Sequence, residues 1–303
     1  MSPVITIGML PKNTDNTYFG AAQKGAEEAT ATLEAKLLWD GPMREDPARQ
    51  AALVAEWSKN GVDVIAISVS DSTTISPALR QALERGTQVV TWDADAAPDA
   101  RRLFVAPANP QSVGQALASE ASRVLLGKGD FAIITATATS PNQNAWIAEI
   151  RARLAQGSPK VNLVEVASCD EDSGKAESEA KRLLKAHPKL GAILALCTPA
   201  VLATAGVVRR SDRSGVKVVG VGTPIGCRTH IQSELLESVV GWKPADLGYL
   251  TAYTAHGLAT GALGPGDGSL MAGRLGRILV RGDEVRLGRA YVWSRANLDT
   301  IPD

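Results

Sequence analysis

The sequence predicts an α/β fold of two similar lobes, and three observations support it. Short apolar runs alternate with helical stretches along most of the chain, a pattern typical of βαβ units and a parallel sheet. The alternation stops near Pro107 and starts again, so the second half repeats the architecture without repeating the sequence. With 303 residues, the chain is also long enough for two hydrophobic cores.

In the first half, each apolar run is followed by turn residues and then by a helical stretch. Asp46-Pro47 and Ser76-Pro77 are typical helix starts, and Asn60-Gly61 is a typical helix end. The predicted strands are 4–10, 36–39, 62–68 and 89–92, and the predicted helices are 18–33, 46–60 and 76–85.

The second half continues the alternation, but its tail departs from it. Strands are predicted at 131–134, 161–166, 192–196, 216–221, 238–242, 277–280 and 284–293, and helices at 112–126, 144–154, 173–185, 199–209 and 244–262. A tight turn at Gly282-Asp283 joins the last two strands. The helix 244–262 follows the last parallel strand, so we expect the chain to cross between lobes more than once. The expected lobes are 1–107 plus 243–284, and 108–242 plus 285–303.

Composition excludes several classes of protein. Lysine and arginine together number 32, as do aspartate and glutamate, so no basic stripe is available for nucleic acid. No apolar run approaches the roughly 20 residues that span a bilayer. Cys169, Cys197 and Cys227 are too few and too scattered for a metal site or a disulfide framework; one bridge is possible, but the favoured interpretation is buried free thiols. No signal-peptide pattern precedes the first strand, which fits a cytosolic protein or a removed leader.

The apolar run 89–95 ends in an aromatic residue and two carboxylates, Trp92, Asp93 and Asp95. Ligands of open α/β sheets bind outside the carboxyl ends of the strands, where Asp93 is expected. A carboxylate that accepts hydroxyl hydrogen bonds, beside a ring that covers C–H surface, suits sugars or polyols. The alternative is that Asp93 or Asp95 caps the next turn and Trp92 belongs to the core.

The sequence contains few residues or motifs that indicate catalysis. The histidines are scattered, and we find no serine-centred elbow, metal-ligand spacing or phosphate loop, so we predict no catalytic residue, cofactor or metal. Pro224 and Cys227 interrupt the helix start that a dinucleotide site would need after Gly222. An enzyme would have to use Lys12, Asp93 or Asp95. The other functions considered are a solute receptor for import and the effector-binding part of a sugar-responsive transcriptional regulator without its DNA-binding part.

Several short motifs, in order, carry a resemblance to a known family. They are Pro11-Lys12 with Tyr18-Phe19, Trp39-Asp40-Gly41-Pro42, Ser76-Pro77-Ala78-Leu79, Thr91-Trp92-Asp93-Ala94-Asp95, Asn142-Gln143-Asn144 with Trp146, Thr223-Pro224, and Trp242. On these motifs the chain resembles type I periplasmic sugar-binding proteins over nearly its whole length. It is most similar to the branch that binds autoinducer-2 or rhamnose.

The resemblance implies two Rossmann-like doubly wound lobes, joined by a three-crossover hinge, with one ligand cleft between them. It implies a monomer that delivers a small sugar or polyol to the permease of an ABC importer. Such a protein is periplasmic, or extracellular and lipid-anchored, once a leader has been removed. Lys12 and Asp93 match ligand-binding positions of the first lobe, Gln143 matches one of the second, and Tyr18-Phe19 matches the aromatic pair that walls the pocket.

Two departures leave the ligand open. Autoinducer-2 binders have Asp-Gln where this chain has Asn142-Gln143, and Pro-Asp-Ala where it has Leu196-Cys197-Thr198. A different sugar or a polyol therefore fits as well as an autoinducer-2-like ligand. The predicted ligand-binding residues are Lys12, Asn13, Asn16, Tyr18, Phe19, Ser68, Trp92, Asp93, Asn142, Gln143, Cys197, Thr198, Gly222 and Trp242.

Overall fold

The computed structural model describes residues 4–298, with strands and helices alternating along most of them. The strands are β1 Thr6–Leu10, β2 Lys36–Trp39, β3 Val64–Ile67, β4 Gln88–Trp92, β5 Leu103–Ala108, β6 Gly129–Thr135, β7 Val161–Ser168, β8 Leu190–Ala195, β9 Lys217–Val221, β10 Ser238–Gly241, β11 Ser269–Met271, β12 Arg277–Arg281, β13 Glu284–Gly288 and β14 Tyr291–Ser294. The helices are α1 Thr17–Thr32, α2 Pro47–Lys59, α3 Ser72–Glu84, α4 Pro110–Val124, α5 Pro141–Gly157, α6 Ser173–Ala186, α7 Thr198–Arg210, α8 Pro224–Gln232 and α9 Pro244–Ala259. Within residues 4–298, no helix is both long and apolar enough to cross a lipid bilayer.

The chain forms two compact α/β units. Among the described residues, the first contains 4–108, Thr139–Asn142 and Lys243–Gly288, and the second contains Asn109–Ala138, Gln143–Trp242 and 289–298. Apart from the short segment Thr139–Asn142, the chain therefore passes from one unit to the other three times. The predicted fold class, two α/β lobes joined by three crossovers, is confirmed. Residues 299–303, which we expected in the second lobe, lie outside the described residues.

The first unit is built on an eight-stranded sheet with the order β11-β12-β13-β5-β4-β3-β1-β2. From β2 to β5 all neighbours are parallel. The order β2-β1-β3-β4-β5 is that of a doubly wound sheet, in which the winding direction reverses between β1 and β3. The last segment of the unit runs to Gly288, beyond the expected end at residue 284, because β13 pairs in parallel with β5.

Helices cover both faces of this sheet. Ile65 and Ile67 of β3 lie in one apolar cluster with Val54 of α2 and Leu79 of α3. Because neighbouring side chains of a strand point to opposite faces, the residues between them face the other side. Helix α9 contacts β1, β3, β4 and β5 and packs along α1. The sheet is thus buried on both faces, which explains why its strands are continuous apolar runs.

The contact between α1 and α9 depends on two glycines. A Cβ added at Gly25 would lie 1.8 Å from the backbone oxygen of Ala245, and one added at Gly248 would lie 1.9 Å from that of Ala22. Neither neighbour is a flexible side chain, so a methyl group could be accommodated only if the helices moved apart. Helix α9, which follows Trp242, therefore packs against α1 with the two backbones in direct contact.

We expect Gly25→Ala to lower the free energy of unfolding by about 1–3 kcal/mol or more, as overpacking of a closed contact does. Gly20→Ala is the matched control in the same helix, because nothing lies within 4 Å of the added Cβ. Its better helix propensity should stabilise the protein by up to about 1 kcal/mol. Urea unfolding of the two variants measures both effects, and equal stabilities would contradict this packing.

The second unit repeats the winding with a six-stranded sheet of order β14-β10-β9-β8-β6-β7. Five of its strands are parallel neighbours in the order β7-β6-β8-β9-β10. The sixth, β14, pairs antiparallel with β10. The winding direction reverses between β6 and β8. Helices α6 and α7 bury one apolar cluster against this sheet, including Leu183, Val201 and Ile193.

The structure corrects three predicted elements. Helix α3 begins at Ser72, not near residue 76, because Asp71 caps it by accepting from Thr74 N, and Pro77 lies inside the helix. The predicted strand 284–293 is two strands, β13 and β14, which belong to different sheets. Helix α8 does form after β9: Thr223 accepts from Gly226 N at 3.2 Å, and proline is well suited to a first helical position.

Candidate functional site

The polar candidates of the first unit lie where its sheet reverses its winding. Lys12 follows β1, Ser68 follows β3 directly, and Asp93 follows β4 directly. These strands are neighbours in the order β1-β3-β4, so their carboxyl ends bring the three side chains together. Open α/β sheets bind their ligands at this position, outside the strand ends at the switch point.

Asp93 is held by two hydroxyl groups. Its Oδ1 accepts from Tyr18 Oη at 2.9 Å, and its Oδ2 accepts from Ser68 Oγ at 2.9 Å. The residue is buried, and its φ of +63° places it in the left-handed region, where aspartate and asparagine are tolerated better than most residues. The carboxylate is therefore fixed in direction, and its two oxygens have lone pairs for further donors.

Lys12 lies beside this carboxylate and is almost fully buried. Its Nζ is 3.9 Å from Asp93 Oδ2. The same Nζ donates to Ser140 Oγ at 3.1 Å and to Asn142 Oδ1 at 3.4 Å, and Ser140 Oγ donates to Asn142 Oδ1 at 3.0 Å. Segment Thr139–Asn142 belongs to the first unit through such contacts. A buried ammonium and a buried carboxylate thus lie side by side, which is costly unless further hydrogen bonds surround them.

Of the aromatic residues predicted to bind the ligand, some reach the site and others are packed in the core. Tyr18 and Phe19 meet edge to face with ring centroids 5.1 Å apart, and Tyr18 reaches the site through its hydroxyl. Trp92 has no exposed surface, and its indole N–H donates to Ala66 O at 3.2 Å. Phe19 and Trp39 pack against Trp92, with centroids at 5.7 and 6.1 Å. Trp92 therefore lies in the core, the alternative that the sequence left open.

Asn13 and Asn16 shape the loop that carries Lys12. Asn13 Oδ1 accepts from Asn16 N at 3.0 Å, and Asn16 Oδ1 accepts from Tyr18 N at 3.0 Å as the N-cap of α1. Both residues are buried. These hydrogen bonds fix the backbone between β1 and α1, the segment that carries both Lys12 and Tyr18.

Asp95, the second carboxylate after β4, bonds an arginine of the same unit. It accepts from Arg101 Nε at 2.9 Å and from Arg101 Nη2 at 2.8 Å, and Thr91 Oγ1 also donates to it. Arg101 donates in addition to Asp283 in the turn between β12 and β13. Burial alone would lower the pKa of Arg101, but its bonds to both carboxylates raise it above the usual value. The charge of Asp95 is thus committed to an ion network within the first unit, in which Arg101 is buried and the two carboxylates are partly exposed.

In the second unit, Gln143 lies at the carboxyl end of β6. Its Oε1 accepts from Thr135 Oγ1 at 2.5 Å and from Ala136 N at 2.7 Å, and the side chain is buried. These bonds tie the amide to the strand that stands at this unit's winding reversal. Its oxygen is therefore oriented by the strand end.

The other predicted residues of the second unit are packed in its interior. Cys197 precedes α7 and Thr198 is its first residue, both at the end of β8. Trp242 is buried against Trp146, with ring centroids 5.9 Å apart. A Cβ added at Gly222 would lie 3.2 Å from Cys227 Sγ, so packing within the unit accounts for this glycine.

From the sequence, we do not predict Ser140, Thr135 or Arg101 as partners of the candidate residues. Ser140 and Lys12 are 128 residues apart, and only the assignment of Thr139–Asn142 to the first unit joins them. Thr135 ends β6, so the strand-end argument applied to Asp93 could have found it. Arg101 stands six residues after Asp95 in a turn, without any periodic signal.

A family model described as a periplasmic binding protein domain matches residues 7–263. The chain belongs to this family. The ribose import binding protein of Bacillus subtilis (strain 168) is a relative, 25% identical over 256 residues that cover 84% of this chain and 82% of the relative. As in this relative, the curated proteins of the family that the chain matches are binding proteins.

Solved periplasmic binding proteins share the fold of the whole chain. An ABC transporter solute-binding protein of Clostridium phytofermentas with bound L-rhamnose is 26% identical, with a TM-score of 0.92 and coverage of 99% of this chain and 98% of that one. LsrB from Clostridium saccharobutylicum in complex with AI-2 has a TM-score of 0.91 at 21% identity, with coverage of 99% and 100%. The predicted resemblance to sugar-binding members of this family, including one with bound L-rhamnose, is thereby confirmed, and the AI-2 complex shares the fold.

Proposed function

We propose that this protein is the solute-binding component of an ABC importer and binds a small, uncharged sugar or polyol. The observation that carries the proposal is the buried Lys12–Asp93 pair at the winding reversal of the first sheet. The ammonium offers donors and the carboxylate offers acceptors, 3.9 Å apart, on a scaffold of neighbouring hydroxyls and amides. Relatives that bind ribose, D-allose or L-rhamnose support a ligand of this class.

The charges of the cluster favour a neutral ligand. One positive and one negative group nearly cancel, so a charged ligand would leave a net buried charge, whereas hydroxyl groups can both donate and accept. Adjacent hydroxyls of a sugar can donate to Asp93 while accepting from Lys12. An autoinducer-2-like ligand presents the same groups and remains within the class.

Binding of the ligand is accompanied by hinge closure of the two units, as the family resemblance implies, and the loaded protein then delivers the ligand to the importer's permease. Such closure belongs to the known repertoire of ligand-driven domain motion. The protein releases the ligand chemically unchanged. Periplasmic or extracellular action follows from the same role.

A thermal-shift screen tests the proposal. The probes are D-ribose, L-rhamnose, D-arabinose, a sugar alcohol and AI-2, with D-ribose 5-phosphate as the charged control. A ligand present at a hundredfold its Kd stabilises the folded state by about 2.7 kcal/mol. For a protein of this size that is a rise in Tm of roughly 4 °C. We expect at least one neutral probe to give this shift; a shift with the phosphate alone would contradict the proposal.

A further inference from the structure

Two cysteines of the second unit lie in contact within its core. The sulfur atoms of Cys169 and Cys197 are 3.8 Å apart, and both side chains are buried. Cys169 comes directly after β7, and Cys197 caps the start of α7, two residues after β8. Between residues 169 and 197 the chain forms α6 and β8.

The backbone holds both residues in place. Cys169 N donates to Thr135 O at 2.9 Å, while Cys197 O accepts from Val201 N at 3.0 Å in the first turn of α7. Leu196 N donates to Ile134 O at 2.8 Å, so both cysteines are anchored on the end of β6. An S–S bond of about 2.05 Å requires the sulfurs to approach by less than about 2 Å. Rotation about the two Cα–Cβ bonds can supply a movement of this size.

We propose that Cys169 and Cys197 form a disulfide when the chain folds in an oxidising compartment. The family is one of periplasmic binding proteins, and the bacterial periplasm is a compartment in which disulfides form and persist. The proposal does not depend on which ligand the protein binds. The disulfide would join the loop after β7 covalently to the start of α7.

The reaction is thiol–disulfide exchange with a small disulfide such as oxidised glutathione. One cysteine thiolate attacks a sulfur of the small disulfide and releases one small thiol, and the second cysteine thiolate then attacks the mixed disulfide and releases the other. The two protein thiols lose two electrons and two protons, which the small disulfide gains. The hydrogen bond with Cys169, together with burial, raises the pKa of the Cys197 thiol well above its usual range. Exchange is therefore faster during folding than in the packed unit.

Cys227 provides an internal reference. Burial raises the pKa of its thiol to about 12, and among residues 4–298 no hydrogen bond joins its sulfur to another cysteine. The proposed bridge leaves it as the one free thiol of the three. It also closes a loop around α6 and β8, which restricts the unfolded chain and stabilises the folded unit.

The experiment refolds the whole protein from denaturant in a glutathione buffer that contains the oxidised form, then counts thiols with a maleimide under denaturing conditions. We expect one labelled thiol, Cys227, a mass lower by two hydrogen atoms before labelling, and a Cys169–Cys197 peptide in the non-reduced digest. Relative to protein refolded with reductant, Tm should rise by roughly 5 °C. Three labelled thiols, or a bridge that includes Cys227, would overturn the proposal.

Two variants separate the bridge from general effects of oxidation. Cys227→Ser should retain the Tm rise and show no labelled thiol. Cys169→Ser should show two labelled thiols and the same Tm in both buffers. If Cys169→Ser fails to fold, the thiol count and digest of the unmutated protein decide the question without it. A Tm rise that persists in folded Cys169→Ser would contradict the assignment.

Discussion

Replacing Asp93 by alanine is expected to weaken sugar binding by a few hundredfold or more. Hydrogen bonds to a charged group are worth about 1.5–3 kcal/mol each, and every 1.4 kcal/mol is about tenfold in affinity. The loss of two ligand bonds accounts for this factor. The carboxylate can make them although Tyr18 and Ser68 already donate to it, because two oxygens offer about four acceptor positions.

Two further variants make this prediction specific. Asp93→Asn keeps a residue that tolerates the left-handed backbone at this position, so it removes the charge with little strain. Asp99→Ala is the control, because Asp99 is exposed and bonds Arg80 on the surface. Calorimetric titration with the sugar found in the screen should show losses for both Asp93 variants and none for Asp99→Ala. Unchanged affinity in Asp93→Asn would show that the ligand does not use this carboxylate.

The second large effect concerns stability rather than binding. We expect Arg101→Met to lower the free energy of unfolding by about 1–3 kcal/mol, because the guanidinium is buried but the two carboxylates that it bonds are partly exposed to water. The Arg101 side chain is 6% exposed and bonds both Asp95 and Asp283, so its loss leaves two carboxylates unpaired near the first sheet. The turn between β12 and β13 would lose its link to the segment after β4.

Arg80→Met is the matched control for this prediction. Arg80 also forms two hydrogen bonds with one aspartate, Asp99, but the pair is exposed. Exposed pairs contribute about 0–1 kcal/mol. Denaturant unfolding at neutral pH compares the two variants. A loss for Arg101→Met no larger than that for Arg80→Met would mean that the Arg101 network does not stabilise the unit.

Much of the fold could be predicted because its strands are buried on both faces. Continuous apolar runs such as Val64–Ile67, bounded by turn residues, identify parallel strands locally. The pairing of strands that lie far apart in the sequence could not be predicted in the same way. The break between β13 and β14 depends on the pairing of β13 with β5 and of β14 with β10, which no local pattern encodes. The start of α3 is hard to predict because Pro77 resembles a first helical residue, whereas the helix begins at Ser72 after the cap at Asp71.

The candidate site could be predicted in part, because ligands of such sheets bind at the carboxyl ends of the strands. The strand-end rule places Lys12, Ser68 and Asp93 at one sheet edge, and the structure brings these three together. Their immediate partners depend on tertiary contacts. Tyr18 was expected to act through its ring, yet its hydroxyl bonds the carboxylate. Trp92 is the last residue of β4, directly before Asp93, but its side chain points into the core.

A crystal structure with the sugar identified in the screen would show directly which residues bind it. We expect sugar hydroxyls within hydrogen-bond distance, about 2.5–3.2 Å, of both Asp93 carboxylate oxygens or of one of them together with Lys12 Nζ. We also expect a chemically intact sugar. A sugar bound elsewhere, with no hydroxyl on Asp93 or Lys12, would contradict the proposed site, and a cleaved or altered sugar would contradict the role of a binding protein.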